Sequence, residues 1–176
     1  LIGGSLALII KKNKLAKEVV GVSRHRKSLD LALKKNVIDR GSQSLDIIKG
    51  ADLLILATPV DTIINLRKKI LSLVDKDCIV TDVGSTKAKV VSSLEKIFKN
   101  YVGSHPLTGS EKRGVIHAKA DIFNNTLCVL TPTGKTRAAP LIKVKKLWAK
   151  AGSRIVFLTP EEHDKVLSFT SHLPHI

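Results

Sequence analysis

Gly103-Ser104-His105-Pro106-Leu107-Thr108-Gly109 sets one histidine between two glycines and beside a proline, directly after the apolar pair Tyr101-Val102. A histidine so placed is expected on a rigid turn at the end of a strand, where α/β proteins hold their reacting groups. Its unperturbed pKa near neutrality suits it to accept or give a proton. A second histidine segment, Ser171-His172-Leu173-Pro174-His175, lies close to the end of the chain. Ser171 and His175 are four positions apart, so on a helix they share a face. Pro174 frees the carbonyl of Thr170, and a kink there would aim both side chains into a cleft. His172 and His175 have a spacing that a metal could use, but the segment has no cysteine or acid beside them, and no metal site is assigned. His25, His117 and His163 belong to no such constellation and read as surface residues.

Other segments point to a phosphate-bearing ligand. Leu1-Ile2-Gly3-Gly4-Ser5 matches the tail of a GxGxxG turn, with Gly3 as its third glycine. In that role Gly3 lets a helix pack close to the sheet, and the amides of Leu1 and Ile2 face a pyrophosphate. A plain glycine-containing helix start reads equally well from these five residues alone. The later context tips the balance. At the end of the next strand stand Ser23 and Arg24, with no acid. An acid there would hold a ribose 2′-hydroxyl, whereas serine and arginine suit a 2′-phosphate. The reading is therefore NADP, with NAD as the alternative. Thr58 and Pro59 follow one apolar run and Ser85 follows another, so all three fall at the carboxyl edge of a parallel sheet. Thr133-Gly134-Lys135-Thr136 imitates a P-loop but lacks its first glycine, since position 129 is Val129.

The elements that must position these residues alternate strand and helix. Strands are expected at 18–23, 53–58, 78–83, 101–104, 126–131 and 154–159. Helices are expected at 4–12, 26–35, 61–73 with Asp61 as cap, 87–98 and 137–151. Leu53 to Thr58 is a continuous apolar run, which suits a strand buried on both faces. Thr159-Pro160-Glu161-Glu162 carries a capping box with proline at the first helical position, so a last helix starts there. The fold class is α/β, with an open, mostly parallel sheet.

The chain has 176 residues, is 43% hydrophobic, and contains no apolar run long enough to cross a bilayer. Its net charge of +15 comes from lysines spread over many elements, and aromatics make up only 3%. That pattern argues against a nucleic-acid partner and for weak steering of small anions. Cys78 and Cys128 lack metal spacing and sit in strands, as small buried hydrophobes of a reducing cytoplasm. The chain starts without methionine and stops just past a motif, and it reads as cut at both ends.

Together, LIGGSLA, GVSR, ATP, TDVGSTK, GSHPLTG, VLTPT and SHLPH resemble the prephenate and arogenate dehydrogenases of tyrosine biosynthesis, over essentially the whole chain. The family pattern is closer to GSHPMAG, so Leu107 and Thr108 depart from it. The resemblance implies a Rossmann-like, doubly wound NADP-binding domain over 1–159, its first strand missing. It implies that 160–176 begins a helical substrate and dimerisation domain. It assigns catalysis to His105, contact with the reacting hydroxyl and the nicotinamide to Ser85, and the substrate pocket to Ser171 and His175. Cofactor contacts would come from Leu1, Ile2, Gly3, Ser23, Arg24, Thr58 and Pro59. The implied protein is a cytoplasmic homodimer that joins through the helical domain and oxidises prephenate or arogenate. His175 favours the extra anionic group of prephenate. The rival readings are an NADP dehydrogenase of another small acid, a non-catalytic basic binding module and a non-functional fragment.

Overall fold

The computed structural model describes residues 1–108 and 114–172, with side chains to residue 169. The elements run α1 (Ile2–Lys12), β1 (Val20–Val22), α2 (Arg26–Lys34), β2 (Arg40–Ser42), β3 (Leu53–Leu56), α3 (Val60–Leu71), β4 (Ile79–Asp82), α4 (Ala88–Leu94), β5 (Tyr101–Leu107), β6 (Leu127–Thr131), α5 (Ala138–Lys150), β7 (Arg154–Phe157) and α6 (Pro160–His172). Five strands form one sheet in the order β3-β4-β5-β6-β7, and β1 and β2 form a separate parallel pair. Every pairing in the larger sheet is parallel except β5 with β6. The architecture is Rossmann-like, as the resemblance implied, with the mostly parallel sheet that the alternating pattern implied.

Side-chain alternation shows why both faces must be covered. Leu53 and Ile55 of β3, Ile79 of β4 and Val102 of β5 pack with Leu6, Ile9, Leu147 and Trp148 of α1 and α5. Their neighbours Leu54, Leu56, Val80 and Tyr101 pack on the opposite face with Ile63, Ile70, Val90 and Leu94 of α3 and α4. The two-residue period of a strand splits one apolar run between two cores. Each fully buried leucine or isoleucine contributes about 1.5–3 kcal/mol of transfer free energy. A smaller core joins Leu29 and Ala32 of α2 to Val37, Ile38 and Ala7.

Three expectations change. Asp61 does not cap α3; Pro59 holds the cap position, without a side-chain bond. Asp61 instead lies in the first turn, where its charge faces the positive helix end. Helix α4 is also much shorter than expected and ends at Leu94. Finally, β5 does not stop at Ser104 but continues through His105 and Pro106 to Leu107. Beyond Val102 its partner is β6, with His105 opposite Val129 and Pro106 opposite Cys128. The amide of Ser104 points towards Asp82 at 3.4 Å, on the β4 side. Pro106 has the same parity, so its missing N–H falls on that side too, where β4 has already ended. The proline therefore breaks no ladder bond. The capping box of α6 forms as expected: the amide of Thr159 donates to Glu162 Oε2 at 2.8 Å, and the amide of Glu162 donates back to Thr159 Oγ1 at 3.2 Å.

Candidate active site

The ends of β3 and β4 form the rim of the site. Ala57-Thr58-Pro59 leaves β3 and Val83-Gly84-Ser85 leaves β4 at the same carboxyl edge, and Thr58, Pro59 and Ser85 are all exposed. The start of α1 meets this rim at Gly3. A Cβ added to Gly3 would lie 2.8 Å from the Ala57 Cβ, closer than real Cβ atoms come, so only glycine permits the approach. Leu1 occupies the cap position of α1 with no side-chain bond, and the first turn carries no acid. The orphan amides and positive dipole end of α1 are thus left for an anion. Gly84 ties the β4 turn to α3, since a Cβ there would lie 3.1 Å from Val60 Cγ2.

Ser23 and Arg24 follow β1 directly. The Ser23 hydroxyl accepts from the amide of His25 at 3.2 Å, and the Arg24 carbonyl accepts from Gln43 Nε2 at 2.8 Å. These bonds fix the turn while the Arg24 side chain stays exposed. Among the described residues no carboxylate pairs with it.

His105 stands on the same rim. It lies past the last β4–β5 pair, Thr81 with Val102, and directly follows Ser104, whose carbonyl accepts from Lys87 and whose amide faces Asp82 at the end of β4. Beneath it lies a buried polar cluster. Lys87 and Asp82 form an ion pair in which neither side chain has any exposure. Asp82 also accepts from the amide of Gly84 at 2.8 Å and from the hydroxyl of Tyr101 at 2.7 Å. Lys87 Nζ gives a further bond to the carbonyl of Ser104 at 2.8 Å. Burial, the Lys87 ammonium and His163 push the His105 imidazole down to about 3, against the opposing pull of Asp164. At neutral pH the ring is uncharged and can accept a hydrogen bond.

His163 is not a surface residue, contrary to the sequence reading, whereas His25 and His117 are exposed. Its ring has no exposure, and its Nε2 lies 2.8 Å from His105 Nδ1. The two rings meet edge to face at 61°. His163 Nδ1 lies 2.7 Å from Asp164 Oδ1. Asp164 also accepts from the amides of Lys87 and Ala88, at 2.7 and 2.9 Å, and so caps the start of α4. The signal for this pair was present in the sequence. Pro160, His163, Asp164 and Leu167 fall at i, i+3, i+4 and i+7, the inward stripe of a helix, while Val166 and Phe169 face out at 47% and 61% exposure. A polar stripe turned inwards is the reverse of ordinary amphipathicity, and apolar counting passes over it.

The backbone of Ser171 belongs to α6, but its side chain, together with His175, Pro174 and Gly109, lies outside the described residues. Two shallow cavities, of about 630 and 700 Å³, lie away from His105, one along Arg40, Gly41 and Ser42 and the other between Leu8, Ile9 and Lys150. No helix among the described residues is long and apolar enough to cross a membrane.

The chain matches the family model "Prephenate dehydrogenase, nucleotide-binding domain" over residues 6–157. It is 40% identical over 181 residues to a prephenate dehydrogenase of Bacillus subtilis, covering all of this chain and 49% of that protein. It therefore spans about half the length of such curated relatives. The structure of Aquifex aeolicus prephenate dehydrogenase in complex with hydroxyphenyl propionate and NAD+ superposes with a TM-score of 0.94 at 34% identity, over 99% of this chain and 62% of that one. Synechocystis arogenate dehydrogenase superposes at 0.92 with 30% identity, again over 99% and 62%. With the glycine approach at Gly3, the histidine on the rim and these likenesses in agreement, the chain belongs to the prephenate dehydrogenase family, of which it carries the nucleotide-binding domain.

Proposed function

We propose that the complete protein oxidises prephenate or arogenate with decarboxylation, and that residues 1–159 hold NADP while His105 serves the reacting hydroxyl. The observation that carries this reading is the His105 imidazole on β5, hydrogen-bonded through Nδ1 to the buried His163, in a sheet whose β3 end meets the start of α1 at an approach that only glycine permits. The residues present fit a dinucleotide. The uncapped amides at Leu1, Ile2 and Gly3 suit its pyrophosphate, and Ser23 and Arg24 suit a 2′-phosphate. Thr58 and Pro59 follow Ala57, against which Gly3 packs. When bound there, the nicotinamide supplies a hydride acceptor.

His105 Nδ1 is engaged by His163, so Nε2 is the atom that meets the substrate 4-hydroxyl. Ser85, exposed just past the end of β4, orients the same hydroxyl. As C4 loses its hydride, positive charge builds on the hydroxyl oxygen and its proton becomes strongly acidic. Even an imidazole held near pKa 3 can then take it. The ring carboxylate leaves as CO₂, and the electrons of that C–C bond complete the aromatic ring. Base assistance of this kind is worth about 10²–10⁴-fold, and positioning supplies more.

Ser171 and His175 are assigned to the substrate pocket, and His175 favours prephenate. Sequence from residue 160 onwards is assigned to a helical domain that joins two copies of a cytoplasmic protein. The test is reduction of NADP and of NAD by the complete protein with each substrate in turn, followed by absorbance of the reduced nicotinamide. Turnover with NADP is expected. No cofactor reduction with either substrate would overturn the reading.

A further inference from the structure

His105 does not stand alone on its strand. It is one end of a chain of three side chains, His105, His163 and Asp164, brought together from β5 and α6 across 58 positions of sequence. We propose that His163 and Asp164 are positioning residues that fix the tautomer of His105, so that its Nε2 presents a bare lone pair to the substrate hydroxyl. The proposal rests on the catalytic reading of His105 given above.

The polarity follows from the far end. Asp164 accepts the amides of Lys87 and Ala88, so its carboxylate is fixed in place and offers only lone pairs to the ring beside it. His163 Nδ1, at 2.7 Å from that carboxylate, must carry a hydrogen, because a bare nitrogen there would set lone pair against lone pair. Burial holds the His163 imidazole below its ordinary range, although Asp164 opposes this, so the ring is neutral with a single N–H. With that hydrogen on Nδ1, His163 Nε2 can only accept. At 2.8 Å it therefore accepts from His105 Nδ1–H. A neutral His105 with its hydrogen on Nδ1 has none on Nε2. Free histidine prefers the opposite tautomer, so the arrangement is imposed by the protein rather than intrinsic to the ring.

During the reaction the substrate O–H bond breaks and the proton joins His105 Nε2. The resulting imidazolium keeps its Nδ1–H bond to His163, whose own N–H remains on Asp164. No proton needs to leave the relay, and the carboxylate stabilises the new charge across the one interposed ring. The logic is that of an aspartate orienting a catalytic histidine, with a second imidazole interposed. Asp164 has a further consequence. By capping α4 it binds α6 to the segment that follows Ser85, so the base and the hydroxyl contact are held by one anchor.

The test uses the complete protein labelled with ¹⁵N in its histidines. The expected spectrum shows His105 protonated at Nδ1 and bare at Nε2 at neutral pH, and the reverse tautomer would overturn the proposal. Kinetics give an independent arm. His163→Leu removes the acceptor, and kcat is expected to fall at least about tenfold, with NADP affinity within about twofold of the parent. His163→Gln can present its amide oxygen to His105 Nδ1 and is expected to recover a large part of that loss. If His163→Leu, folded by circular dichroism, keeps parental kcat, the proposal fails. These failures differ from failure of the functional reading, in which the unsubstituted protein itself reduces no cofactor.

Discussion

Lys87 and Asp82 form a wholly buried ion pair directly beneath the strand that carries His105. Two charges without solvent are tolerated because each is heavily bonded: Asp82 to Gly84 and Tyr101, Lys87 to the Ser104 carbonyl. Removing one partner strands the other. Lys87→Met is therefore expected to cost roughly 3–5 kcal/mol of folding stability. The double variant Lys87→Met with Asp82→Asn should recover a substantial part of that cost. Urea unfolding of the complete protein measures both, and a loss below about 1 kcal/mol for the single variant would refute the account.

Gly3 is under opposing influences. Alanine is the better helix former by up to about 1 kcal/mol. Its Cβ, however, would meet the Ala57 Cβ at 2.8 Å, and both groups sit on backbone that cannot swing away. Overpacking of this kind costs about 1–3 kcal/mol, so the clash wins. Gly3→Ala is expected to lower the melting temperature and to weaken NADP binding, because α1 must back off the rim. An unchanged melting temperature together with unchanged affinity would remove the close-approach argument.

Arg24 gives a cofactor test that does not depend on turnover. Loss of a charge-assisted bond to a 2′-phosphate is worth about 1.5–3 kcal/mol, so Arg24→Ala should weaken NADP by at least about tenfold. NAD has no 2′-phosphate and should be little affected. Fluorescence titration with each cofactor reads the difference, and equal effects on both would contradict the 2′-phosphate reading.

The depressed His105 pKa has a definite sign in stability. Folded, this ring takes its proton only near pH 3. In the unfolded chain it does so near the ordinary value of about 6.5. As pH falls below that value the unfolded state gains a proton and the folded state does not, so stability falls with acid. The slope from this one group is up to about 1.4 kcal/mol per pH unit. His105→Asn should remove that increment between pH 6.5 and 3, measured as the difference in unfolding free energy from the parent over the same range. Parallel pH curves would show that His105 titrates normally.

Much of this was legible in the sequence. The apolar run Leu53 to Thr58 identified a strand covered on both faces, which ends at Leu56, and Thr159 with Glu162 marked the start of α6 to the residue. Both signals are local: one is a two-residue period and the other a four-residue box. The length of β5 was not legible, because Pro106 reads as a breaker unless the early end of β4 is known. His163 was missed for a related reason. Its neighbours Glu162, Asp164 and Lys165 are charged, and only the packing of α6 against α4 and β5 turns that polar stripe inwards.

The most direct measurement is His105→Asn in the complete protein, assayed for turnover of prephenate and arogenate alongside titration of NADP. Asparagine keeps a polar side chain of similar reach but cannot take the proton. The account predicts kcat lowered by about 10²–10⁴-fold with NADP affinity unchanged. Turnover equal to the parent's would contradict it.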